Sequence, residues 1–85
     1  MIKLRESVEV MATRVELKMQ SNDHKPHPWT LTHNWLSAEL EKSRVLLHYA
    51  ASDNDHEAVI NHATNVAAYS AMLISNANKL MGERS

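Results

Sequence analysis

Apolar residues in the first part of the chain recur at helical spacing: Leu4, Val8, Met11, Val15 and Met19 are separated by four, three, four and four residues. That spacing lays one stripe along a single face and predicts a helix over residues 2–20. Arg5 and Glu9 flank it one turn apart, a pairing that weakly stabilises a helix. Ser21, Asn22 and Asp23 compete for backbone hydrogen bonds, and Pro26 and Pro28 forbid a continuing helix, so residues 21–31 read as a loop.

Thr32 suits the N-cap of a second helix over residues 32–51, in which Leu36, Leu40, Ser43, Leu47 and Ala50 share a face. Val45 and Tyr49 lie beside that face, and Ser43 interrupts its apolar run. Ser52 to Asp55 is a polar turn, and Asn54 followed three residues on by Glu57 fits a capping box. The third and longest helix is expected over residues 55–81, closed by the lone glycine, Gly82. One of its faces carries Val59, Ala63, Val66, Ser70, Leu73, Ala77 and Leu80; a second row, Ile60, Ala67, Ile74 and Met81, runs alongside. The short turn makes the second and third helices an antiparallel hairpin. At 1.5 Å per residue the third helix is roughly 40 Å long, longer than so small a domain is wide. Its far end is therefore expected to pack on a second copy, giving an all-α helical-bundle homo-oligomer, with dimer and tetramer both open.

Composition narrows the class. Eighty-five residues make a single domain with a small core. One glycine, two prolines and no phenylalanine are a helical composition. The absence of cysteine removes disulfides and thiolate metal sites and fits a reducing compartment. Charge appears in Lys3, Arg5 and Glu6 before any apolar run, unlike a secretory signal, and no stretch nears the ~20 apolar residues of a membrane span. The expected location is cytoplasmic. Nine basic and ten acidic side chains, spread along the chain, leave no cationic face of the kind DNA demands.

Three segments carry a family likeness: Asn22-Asp23-His24-Lys25 with Trp29 just after; Trp35-Leu36 with Leu40; and Val59-Ile60 through Val66-Ala67 to Met72-Leu73 and Asn76. Together they resemble the small phage-type members of the MazG-like family, all-α nucleoside triphosphate pyrophosphohydrolases. In those relatives glycines separate the first motif from its tryptophan, whereas Pro26, His27 and Pro28 intervene here. The family's signature is a Glu-x-x-Glu on one helix and a Glu-x-x-Asp on the next, converging on magnesium, a hard cation that binds oxygen anions. The resemblance places these four positions at Ser43, Leu46, His62 and Asn65, none of which is a carboxylate. Glu39 and Glu41 cannot substitute as a pair, because a two-residue step points them to different faces, and Glu6 with Glu9 reads as a solvated face.

The residues that remain admit two readings each. Lys25 and Trp29 suit a nucleotide's phosphate and base, or Trp29 and Trp35 plug the end of the bundle. His62 and Asn65, one turn apart, with His48 placed near the same hairpin interior, offer polar groups to a nucleotide or form a buried polar cluster. His24 and His27 with His33 make a poor metal cage, and no metal or other cofactor is expected. Met11, Met19, Met72 and Met81 read as core filler. The resemblance therefore implies a noncatalytic MazG-like protein, without catalytic residues, that binds a nucleotide or a protein partner through its oligomer. Two alternatives stand beside it. One is a divergent active pyrophosphohydrolase holding magnesium through residues such as Glu39 and His62; the other is a small phage effector that blocks a host protein.

Overall fold

The computed structural model describes residues 2–22 and 33–83, which form three helices: α1 (Glu6–Asn22), α2 (His33–Ser52) and α3 (His56–Glu83). Among the described residues there is no strand.

Helix α1 begins four residues later than the apolar stripe places it. The Arg5 carbonyl accepts from the amides of Val8 (3.0 Å) and Glu9 (3.1 Å), which sets the first turn at Glu6. Leu4 begins the stripe in sequence, but the acids Glu6 and Glu9 are the residues that suit a helix start, where the backbone dipole is positive. At the other end, α1 continues through Ser21 and Asn22. Ser21 prolongs it rather than ending it: its hydroxyl donates to the Lys18 carbonyl at 2.7 Å, satisfying one of the terminal acceptors.

The junction between α2 and α3 is built by Asn54 and Asp55. Asn54 takes a left-handed conformation, φ 56°. Its amide donates to the Ala51 carbonyl (3.2 Å) while the Asp55 amide donates to Ala50 (3.0 Å), the pair of bonds that defines a Schellman stop. Asp55 then caps the next helix, its carboxylate accepting from the Ala58 amide at 3.1 Å. The N-cap is thus Asp55, not Asn54, and the Asn54–Glu57 capping box does not form. Gly82 is a second correction: it lies inside α3 and has no positive φ, so it does not act as a left-handed stop.

Helix α3 touches both other helices, α2 more extensively than α1. The α2 face expected from spacing is the one turned inward: Leu36, Ser43 and Ala50 are buried, and Leu40 and Leu47 are half-buried. Ala68 on α3 adds to the small core, in which Leu36 is, among the described residues, the one large side chain fully enclosed. The methionines divide: Met19 and Met72 are half-buried, whereas Met11 and Met81 are exposed and fill no core within one copy.

Large apolar side chains are exposed on all three helices: Val10 and Leu17 on α1, Val45, Leu46 and Tyr49 on α2, and Ile60, Ile74, Leu80 and Met81 on α3. Among the described residues no helix is long and apolar enough to cross a membrane.

Candidate functional site

The residues singled out by sequence do not gather in one place. Asp23, His24, Lys25 and Trp29 lie outside the described residues, as do His27 and Thr32; Asn22 is the last residue of α1. His48 is exposed, its ring edge-on to Tyr49 at 5.9 Å, and does not sit in the interior with His62. The helical wheel explains this. His48 stands five residues from Ser43, about 140° around α2 from the buried stripe.

His62 and Asn65 share the inner half of α3 but have different surroundings. His62 is half-buried, and its Nδ1 is enclosed without a hydrogen-bond partner among the described residues. A buried nitrogen left in that state costs stability. Asn65 is half-buried and lines an open groove between α3 and α1, about 350 Å³ in volume, together with Asn61, Thr64, Arg14, Leu17 and Lys18. Thr64 does not offer its proton to that groove, because its hydroxyl donates to the Ile60 carbonyl at 2.7 Å.

Arg14 and Lys18 were not among the candidates from sequence. They were readable as an unusual pair: two cations one turn apart, with no acid three or four residues from either. What the sequence could not show is that α3 brings two carboxamides opposite them.

Of the four positions that the resemblance assigns to metal-binding carboxylates, Ser43 is buried, Leu46 exposed, and His62 and Asn65 half-buried. The two acids nearest that stretch of α2 diverge. Glu41 is exposed and bound by the Arg44 guanidinium at 2.6 Å, which holds its carboxyl below the usual range. Glu39 is half-buried and raises the phenol pKa of Tyr69 on α3, a smaller contribution than that of burial. Among the described residues no three His, Asp or Glu side chains converge as a metal-binding group.

Compared with models of protein families, with characterised proteins and with solved structures, the chain gives no match. The MazG-like resemblance accordingly rests on the three sequence segments alone.

Proposed function

We propose that this chain is a noncatalytic MazG-like helical protein that works as a homo-oligomer, binding a nucleotide or a protein partner in that assembled form. In this reading α2 and α3 form an antiparallel hairpin, and the outward row of α3 meets a second copy. The observation that carries it is the exposure of Ile60, Ile74, Leu80 and Met81 along one helix. A monomer of this size gains nothing by leaving them in water: covering each would return part of the roughly 1.5–3 kcal/mol that full burial of a large aliphatic side chain contributes.

The noncatalytic part of the reading is supported by the residues at the four signature positions, where serine, leucine, histidine and asparagine stand in place of carboxylates. The test is pyrophosphate release from a panel of nucleoside triphosphates with magnesium, run beside calorimetric titration with the same nucleotides. The expected result is no turnover. Metal-dependent pyrophosphate release by the pure protein, abolished by Glu39→Gln or His62→Ala, would replace this reading with that of a divergent enzyme.

A further inference from the structure

The groove between α1 and α3 is chemically one-sided. On the α1 wall, Arg14 and Lys18 stand one turn apart, a like-charge pair that destabilises a helix unless something neutralises it. None of the residues three and four away from them, Val10, Met11, Val15, Leu17, Ser21 and Asn22, is an acid; Glu9 lines the adjoining hollow beside Arg14 and does not line this groove. Among the described residues neither cation makes an ion pair, unlike Arg44, which is held by Glu41.

The α3 wall supplies none either. Asn61 and Asn65, again one turn apart, bring carboxamides whose NH2 groups donate hydrogen bonds, and Glu57, one turn before Asn61, does not line the groove. Two positive charges, two amide donors and one aliphatic contact from Leu17 thus line a space of about 350 Å³. A group that accepts from all of these and carries about two negative charges is a phosphate. Arginine can grip two of its oxygens at once and lysine adds a point charge.

We propose that this groove binds the phosphate end of a small phosphorylated ligand, with Arg14 and Lys18 as the charge partners and Asn61 and Asn65 as amide donors. The inference deepens the nucleotide arm of the proposed function by giving it a site, and it rests on the groove rather than on the oligomer.

The experiment is calorimetric titration of the full chain with inorganic pyrophosphate and, separately, ATP, both without divalent metal. The wild type is compared with the double variant Arg14→Gln/Lys18→Gln and with Arg44→Gln, which removes a cation elsewhere. Both probes are expected to bind the wild type and Arg44→Gln alike, and the double variant is expected to bind at least about tenfold more weakly, as loss of charge-assisted bonds predicts. Equal affinities for pyrophosphate and ATP would mean that the phosphate chain alone is read; tighter ATP binding would mean that the base adds contacts. Either supports the site. A melting curve without ligand checks the fold: removal of the like-charge pair should leave Tm unchanged or higher. No binding of either probe, or an undiminished affinity in the double variant, overturns the proposal. The mass of the assembly is independent of these outcomes, so failure here is distinct from failure of the oligomer reading.

Discussion

Trp35 in the first turn of α2 and Tyr69 in the middle of α3 meet edge to face, their ring centroids 6.3 Å apart and their planes inclined at 75°. This contact joins the start of one helix to the centre of the next, far from the turn that connects them. Trp35→Ala should lower stability by roughly 0.5–1.5 kcal/mol beyond the area it uncovers, measured by denaturant unfolding. Tyr69→Phe keeps the ring pair and should change little at neutral pH.

The same tyrosine gives a pH dependence. Burial, and secondly the Glu39 carboxylate, hold the Tyr69 phenol above its ordinary pKa. The folded state therefore keeps the proton more tightly than the unfolded chain does. That stabilisation is complete below the ordinary phenol value of about 10 and is lost as pH rises through the higher folded value. The wild type should lose Tm faster than Tyr69→Phe across that alkaline window; parallel curves would mean that the phenol is no better protonated in the folded state.

The α2–α3 junction predicts opposite signs at adjacent residues. Asp55→Ala removes the carboxylate that caps α3 and should cost about 0.5–2 kcal/mol. Asn54→Gly relieves a left-handed residue and should be neutral or stabilising, while Asn54→Ala should cost about 1 kcal/mol. Thermal melts of the three variants check the order.

His62 offers a test of whether its buried nitrogen is a structural liability. Replacement by leucine removes the unpartnered Nδ1 and should raise stability by roughly 1 kcal/mol, the lower end of the penalty for an unsatisfied buried polar group. A loss of stability in His62→Leu would show that the imidazole has a partner in solution.

These sites also mark what was legible in the chain. The buried stripe of α2 was readable residue by residue, because Leu36, Ser43 and Ala50 recur at the helix period and the period alone decides which side turns inward. The ends were less so. Leu4 fits the same period as the apolar stripe of α1, yet periodicity carries no information on where backbone hydrogen bonding starts. Asn54 fits a cap pattern in sequence as well as Asp55 does, and its positive φ distinguishes a helix stop from a helix start. On α3 the period marks Ile60, Ile74 and Met81 as apolar positions but cannot tell a face packed within one chain from a face left for another. The groove was the least legible, since its walls lie more than forty residues apart in sequence and only tertiary packing pairs Arg14 and Lys18 with Asn61 and Asn65.

Two substitutions on the outer row of α3 separate assembly from folding. Ile74→Glu and Ile60→Glu place a charge where a partner helix would have to desolvate it, which costs several kcal/mol. Both residues are exposed in one copy, so each variant should keep its helical signal at low concentration while dissociating.

Sedimentation equilibrium of the full 85-residue chain at micromolar concentration tests the central claim most directly. The account predicts a mass at least twice the 9.7 kDa of one chain, falling towards the single-chain value in Ile74→Glu. A wild-type protein that sediments at 9.7 kDa across the whole concentration range would contradict it.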